Sequence, residues 1–197
     1  MQALLRTVRK PSQFEIVAAG ERLRPHLPST PLVAGHALGE HVHLKLETLQ
    51  PTGSFKVRGA LAALSLLEPG SHVVTASAGN HGLGIAWAAD RLGLDATVVV
   101  PENAAPSKLA ALASFPVELE QHGSNYDAAE RHGLALAESS GARYVSPYND
   151  GEVIAGQATI LAELLEQLEA QFTIVTPIGG GGLAAGLGLA ASEIADV

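Results

Sequence analysis

Apolar strand-like runs alternate with helix-like segments along most of this chain, and that alternation restricts the fold more than any other feature. Six runs predict strands: His41–Glu47, His72–Ala78, Ala96–Pro101, Val117–His122, Ala142–Pro147 and Phe172–Ile178. Helices are predicted for the segments that separate or follow them: Val57–Glu68, Gly84–Gly93, Pro106–Phe115, Tyr126–Gly141, Val153–Glu169 and Leu183–Ser192. Repeated strand–helix units predict an α/β protein with a largely parallel sheet covered by helices on both faces. In such sheets ligands bind beyond the carboxyl ends of the strands, where the turns SAGNHG and IGGGGL fall here.

Composition excludes several classes of function. Hydrophobic residues make up 47% of the 197 residues and charged residues 16%, which is typical of a globular protein with a buried core. A net charge of −8 argues against nucleic acid or an anionic membrane as the main partner. The absence of cysteine excludes disulfides and a thiol nucleophile, and fits a reducing compartment.

Targeting and metal-binding patterns are also missing from the sequence. The N-terminal residues lack the apolar run of a signal peptide, and no stretch is long enough to span a bilayer. We therefore expect a cytoplasmic protein without a membrane partner. The eight histidines are scattered and form no HExxH or His-x-x-x-His pair, so no metal site is predicted.

Two glycine-containing turns are candidate anion sites. Gly179–Gly182 follow an apolar run and precede a helix, so their backbone N–H groups and the helix dipole favour a phosphate. The spacing is neither GxGxxG nor GxxxxGK[ST], and a flexible turn is the simpler alternative. Thr75–Gly82 places small residues and Asn80 in a similar turn, which suits a carboxylate or serves only to cap a helix.

Lys56 is the third candidate, within the sequence PTGSFKVRGA. Taken alone, it is an ordinary solvated lysine at the start of a helix. A cation placed there opposes the helix dipole, however, and an apolar surround including Phe55 would lower its pKa as an amine nucleophile requires. A lysine, a phosphate loop and a carboxylate turn are together the parts of an amino-acid enzyme that uses pyridoxal phosphate.

Four motifs in this order resemble the serine/threonine dehydratases, a family of fold-type-II pyridoxal phosphate enzymes. They are KLETLQPTGSFKVRGA, ASAGNHG, VIAGQATI and PIGGGGLAAG, and the resemblance extends from about residue 30 to the end of the chain. It implies a two-domain architecture similar to the tryptophan synthase β subunit. It also implies β-elimination of L-threonine or L-serine to a 2-oxo acid and ammonia, with pyridoxal 5′-phosphate as cofactor.

The resemblance assigns roles to individual residues. Cofactor contacts are implied for Lys56, Phe55, Asn80, Gly179, Gly180, Gly181, Gly182 and Leu183. Lys56 would hold the cofactor as a Schiff base and move the substrate α-proton, and the glycines with the Leu183 amide would bind its phosphate. Phe55 would lie against the cofactor ring and Asn80 would bond its 3′-oxygen. The substrate carboxylate loop would be Ser77, Ala78, Gly79, Asn80 and His81.

Departures from the family pattern keep alternatives open. Ala78 replaces the serine that related racemases use on the second face of the substrate, which favours elimination over racemisation. Ser146 replaces a histidine that is usual in the dehydratases, so substrate choice stays open. A racemase, a threonine synthase or another lyase on the same scaffold are the alternatives.

The resemblance also predicts the domain organisation. The expected units are residues 1–69, the first part of a large domain; residues 70–148, a small inserted domain; and residues 149–197, the start of the second part of the large domain. Because family members continue well past the last residue, we expect an incomplete large domain with exposed apolar surface. The chain alone is then expected to be inactive or marginal and to associate, with a homo-oligomer as one form.

Overall fold

The computed structural model describes residues 8–192. The strands, in chain order, are β1 (Leu32–Ala34), β2 (His43–Lys45), β3 (His72–Ala76), β4 (Asp95–Val100), β5 (Glu118–Gln121) and β6 (Arg143–Tyr144). The α-helices are α1 (Gln13–Leu23), α2 (Lys56–Leu64), α3 (Asn80–Leu92), α4 (Pro106–Leu112), α5 (Tyr126–Ser140), α6 (Gly151–Gln167) and α7 (Gly182–Ala191).

The main sheet is parallel, as the strand–helix alternation predicts. Its order is β5-β4-β3-β6, and β3 pairs with β4 from His72 opposite Asp95 to Ala76 opposite Val99. On one face Val74 and Val99 pack against α5, and on the other Val98 and Val100 pack against α3 and α4. The predicted covering of both faces is therefore confirmed for this sheet. A separate antiparallel pair joins β1 and β2.

Helix α2 lies in the centre of the molecule and carries Lys56 at its first position. Every residue from Val57 to Leu64 is buried, because α2 packs between α3 on one side and α6 on the other. The approach to α3 is close: a Cβ on Gly84 would lie 3.2 Å from the Lys56 carbonyl oxygen. This packing fixes the direction in which the Lys56 side chain leaves the helix.

A buried ion cluster ties α2 to its neighbours. The Arg58 side chain is 2% exposed and donates both Nε and Nη2 to Glu47, each at 2.8 Å, and Nη1 to Glu163 on α6 at 2.6 Å. Lys45 on β2 also binds Glu163. Burial of a charge is tolerated only when it is paired in this way.

Local signals place most helix ends near their predicted positions. Pro106 begins α4, and Gly93 and Gly141 end α3 and α5 with φ of 66° and 71°, in the left-handed region that favours glycine. Helix α1 was not predicted, although Ser12 and Glu15 form a capping box, a signature visible in the sequence.

The prediction of a strand over Phe172–Ile178 is wrong for this structure. Within residues 8–192, no strand includes any of these residues, although they follow α6 and precede α7 as expected. Val175 is 93% exposed and Ile178 75% exposed. A strand needs a neighbour for its backbone N–H and C=O groups, and none of the described strands pairs with this segment.

Two further expectations concern larger units. All four strands of the parallel sheet fall between His72 and Tyr144, inside the span predicted for the small domain, and the domain bounds themselves stay a prediction. The sequence LAASEIADV also predicts that the last helix leads into a further strand, but residues 193–197, where that strand would lie, are outside the described part. Across residues 8–192, no helix combines the length and the apolar character that crossing a membrane requires.

Candidate active site

Lys56 is a half-buried amine at the start of α2. Its Nζ donates a hydrogen bond to the Pro147 carbonyl at 2.8 Å and lies 5.5 Å from the centre of the Phe55 ring. Burial lowers the pKa of this ammonium, in the direction expected from the sequence. A larger fraction of the amine is therefore neutral near pH 7 than in a solvated lysine, which raises its reactivity as a nucleophile.

His81, in the first turn of α3, is 2% exposed. Burial, and then the positive charge of Lys56, lower its pKa to about 3, so the ring is neutral at physiological pH. Nε2 lies 3.3 Å from the Val145 carbonyl, which requires the hydrogen on Nε2 and leaves Nδ1 as an acceptor. Nδ1 is buried and has no hydrogen-bond partner among the described residues.

The turn between β3 and α3 contains the other residues predicted for the substrate carboxylate. Ser77, Ala78 and Gly79 are partly buried, and Asn80 is exposed. The Ser77 hydroxyl accepts the Gly79 N–H at 3.2 Å, which holds the turn closed. Gly79 caps α3 and has no side chain to bond the N–H groups of the first turn.

The glycine loop Gly179–Gly182 leads into α7, which begins at Gly182. Gly181 is the N-cap, with φ of 86°, a left-handed conformation that glycine adopts without strain. It offers no side chain to the N–H groups of the first helical turn, and those groups point towards the loop. Glycine is required at Gly180 for a second reason, because a Cβ there would lie 2.5 Å from the ring of Tyr148.

The segment Ser146–Asp150 lies between the lysine and the glycine loop. It begins directly after β6, so it leaves the same sheet edge as the β3 turn. Pro147 binds the Lys56 amine and Tyr148 contacts Gly180 and Gly182. Ser146 is 4% exposed, and its hydroxyl accepts the Asn149 N–H at 3.3 Å.

Sequence reasoning did not assign roles to Pro147 and Tyr148. A usable signal was present, because they follow the strand Arg143–Tyr144, and ligands in parallel sheets bind at the carboxyl ends of strands. The structure thus brings Lys56, His81 and the β3 turn to one edge of the sheet. Residues 147 and 148 connect that group to the glycine loop.

This arrangement fits the two ends of pyridoxal phosphate. A desolvated amine suits its aldehyde, and a glycine loop at an uncapped helix start suits its phosphate. Two aromatic side chains lie near these ends, Phe55 beside the Lys56 amine and Tyr148 beside the glycine loop.

Comparison with known proteins agrees with this interpretation of the site. Residues 23–196 match the family model described as pyridoxal-phosphate dependent enzyme. The L-threonine ammonia-lyase of Geobacter sulfurreducens is 41% identical over 187 residues, which cover 90% of this chain and 46% of that protein.

Two solved structures share the fold. Maize serine racemase has a TM-score of 0.89 at 32% identity, covering 95% of this chain and 59% of that one. The T.th. threonine deaminase has a TM-score of 0.86 at 39% identity, covering 94% of this chain and 62% of that one. The chain spans about half the length of the curated relatives it matches. The resemblance of the motifs to this family is confirmed.

Proposed function

The chain belongs to the pyridoxal-phosphate dependent enzyme family, and from that premise we propose that its Lys56 site deaminates L-threonine or L-serine by β-elimination. The observation that carries the proposal is the half-buried Lys56 amine, whose pKa is lowered and which is held by a peptide carbonyl beside the neutral His81. The 41% identity to an L-threonine ammonia-lyase supports threonine as the substrate.

The chain's residues divide the binding of the cofactor between two ends of the site. The N–H groups of Gly179–Gly182 and Leu183 take the phosphate, with the α7 dipole favouring its negative charge. Lys56 would hold the aldehyde end, Phe55 would lie along the ring and Asn80 would bond the ring's 3′-oxygen. Bound pyridoxal phosphate supplies an electron-withdrawing ring that spreads the charge left when the substrate loses its α-proton.

The turn after β3 holds the substrate. Ser77, Ala78, Gly79, Asn80 and His81 surround the substrate carboxylate, and the N–H groups at the start of α3 are suited to a negative charge. His81 would contribute its backbone N–H to the carboxylate, because its neutral ring has only an acceptor free at Nδ1 and adds no second cation beside Lys56.

Lys56 is the base in this proposal. Its amine would remove the proton from the substrate Cα. The electron pair left on Cα would form the Cα–Cβ double bond as the β-hydroxyl takes up a proton and leaves as water, and the resulting enamine would hydrolyse to the 2-oxo acid and ammonia. Burial keeps the amine neutral at a lower pH than a solvated lysine would allow, which is the protonation state that the step needs.

Racemisation of serine is the second candidate, because maize serine racemase has a TM-score of 0.89 to this chain. A racemase must return a proton to the opposite face of Cα. Ala78 has no hydroxyl to supply it, so we favour elimination. Chiral analysis of the serine that remains after incubation separates the two reactions.

We also propose a cytoplasmic location and association between copies. The cysteine-free sequence fits a reducing compartment. The exposed side chains of Val175 and Ile178 form apolar surface of the kind that a second polypeptide covers.

A visible absorbance spectrum tests the proposal most directly. The purified chain is mixed with pyridoxal phosphate beside Lys56→Ala, and each is then given L-threonine while the 2-oxo acid is measured. We expect a visible band that requires Lys56 and is bleached by borohydride. Because the chain alone is expected to be marginal, we expect only a low rate of 2-oxo acid release, which Lys56→Ala lacks. Absence of a Lys56-dependent band would refute a functional cofactor site in this chain, and a band without 2-oxo acid from either amino acid would refute the elimination.

A further inference from the structure

Tyr148 fills the space beside the glycine loop. A Cβ placed on Gly180 would lie 2.5 Å from both Cγ and Cδ1 of the Tyr148 ring, closer than carbon atoms approach in proteins. A Cβ on Gly182 would lie 3.2 Å from the Tyr148 Cα. Gly179 and Gly181 have no such neighbour within 4 Å. The second and fourth residues of the loop are therefore shaped by this one tyrosine.

The Tyr148 side chain lies near the start of α5 in the parallel-sheet unit. Tyr126, the first residue of α5, is close enough to Tyr148 for the two side chains to interact electrostatically, and its hydroxyl donates to Glu130 at 3.3 Å. Helix α5 packs on β3 and β4, and its start is fixed by Asn125, whose Oδ1 accepts the Ala128 N–H at 3.0 Å. Tyr148 therefore has a fixed neighbour on the side away from the glycine loop.

The backbone next to Tyr148 holds the lysine. Pro147 precedes Tyr148 and accepts the Lys56 hydrogen bond at 2.8 Å. Two adjacent residues therefore contact both the amine and the glycine loop. A shift of Tyr148 would change the separation between the amine and the first-turn N–H groups of α7.

From these contacts we infer that Tyr148 is a positioning residue that sets the shape of the glycine loop relative to Lys56. The inference rests on the proposed cofactor site, because a loop shaped in this way places the phosphate at a fixed distance from the amine. The part of Tyr148 that does this is its ring, which packs on Gly180.

A conservative variant separates the ring from the hydroxyl. Tyr148→Phe keeps the ring that packs on Gly180, so it should weaken cofactor affinity less than Tyr148→Ala, which removes that packing. Affinity is read from titration of the Lys56-dependent visible band.

A size exchange tests the ring. Gly180→Ala should weaken affinity by about ten- to a hundredfold through overpacking against the ring, and adding Tyr148→Ala should recover at least part of that loss. Gly179→Ala is the matched control: its Cβ meets nothing within 4 Å, so its loss should be smaller, and adding Tyr148→Ala should not recover it.

Amide hydrogen exchange of the chain without cofactor provides a second readout, independent of the proposed function. Exchange at Gly179–Leu183 should be about tenfold faster in Tyr148→Ala than in the unsubstituted chain, while α3 keeps its protection. Unchanged exchange there, or failure of Tyr148→Ala to recover any of the Gly180→Ala loss, would overturn the inference. If the unsubstituted chain shows no Lys56-dependent band, the proposed function fails and hydrogen exchange alone decides the role of Tyr148.

Discussion

Replacing Arg58 by methionine should destabilise the chain strongly, because its guanidinium neutralises two carboxylates in the interior. The side chain is 2% exposed and makes a bidentate contact with Glu47 and a third bond to Glu163. Burial raises the pKa of Glu163, but the hydrogen bonds from Arg58 and Lys45 outweigh it, and the net pKa is lowered. The lowered pKa keeps Glu163 ionised in the folded chain, so its charge needs the Arg58 partner.

The expected loss follows from this geometry. Removing one partner of a buried ion pair costs about 3–5 kcal/mol, mainly because the remaining charge is left uncompensated. The side chains of Glu47 and Glu163 are 14% and 16% exposed and Lys45 still binds Glu163, so we expect about 3 kcal/mol. Arg58→Lys keeps the positive charge but lacks the planar guanidinium that binds both oxygens of Glu47. It should lower the free energy of unfolding by about 1.5 kcal/mol, the contribution of one hydrogen bond to a charged group.

Urea unfolding followed by circular dichroism measures these differences. Arg9→Met is a matched control, because Arg9 also contacts two carboxylates, those of Glu15 and Glu152, but its side chain is 52% exposed. We expect it to lose only a small fraction of the Arg58 effect. The Arg58→Met deficit should shrink in acid as Glu163 becomes protonated, since the stabilisation from its lowered carboxyl pKa is lost as pH falls through that pKa.

A second variant separates lost charge compensation from lost packing. The double change Arg58→Met and Glu47→Gln removes the stranded charge on Glu47 and leaves Glu163 paired with Lys45, so it should recover part of the stability. If Arg58→Met costs no more than Arg9→Met, or if the double variant is less stable than Arg58→Met alone, the reasoning is wrong. In that case the cluster contributes packing rather than paired charge.

Gly59→Ala should destabilise the chain by about 1–3 kcal/mol in urea unfolding, because its Cβ would lie 2.4 Å from Gln157 Nε2. Gly188→Ala, whose Cβ meets nothing, is the control and should be neutral or slightly stabilising. The pKa of His81 is lowered from 6.5 to about 3, so between these two values the unfolded chain binds a proton that the folded chain does not. The free energy of unfolding should therefore fall as the pH decreases from 6.5 to about 3, and His81→Asn should make it less dependent on pH in this range. Val175→Lys should reduce self-association in light scattering without lowering the free energy of unfolding, since this side chain is 93% exposed.

Each of these expectations has a contrary result. Equal stability of the Gly59 and Gly188 variants would contradict the steric argument. An unchanged pH profile in His81→Asn would show that other groups set the acid sensitivity. Association that persists in Val175→Lys would place the contact surface elsewhere.

The parallel sheet was predictable because its signals are local. Val98–Val100 form an apolar run of strand length, and Pro106, Gly93 and Gly141 mark helix ends through their own backbone preferences. Such signals require no knowledge of distant residues. The capping box at Ser12 is equally local, and α1 was missed although its signature was present.

The site was predictable only in part. Lys56, the β3 turn and the glycine loop are contiguous motifs, and a sequence displays them directly. The contact between Tyr148 and Gly180 joins residues far apart in the chain, and no periodic pattern in the sequence predicts it. The ion cluster around Arg58 could not be predicted for the same reason, since its partners Glu47 and Glu163 are distant from each other in the sequence. These features arise from packing of α2, α6 and α7, which the local sequence does not encode.

The segment Phe172–Ile178 shows why a local pattern is not sufficient to form a strand. The side chains at 172, 174 and 176 are partly buried while those at 173, 175 and 177 are exposed, so an alternation with a period of two is present. Alternation specifies a conformation, but a strand also requires a neighbour, and none of the described strands supplies one. Val175 is therefore an apolar side chain that is 93% exposed, and Val175→Lys tests whether copies of the chain associate through it.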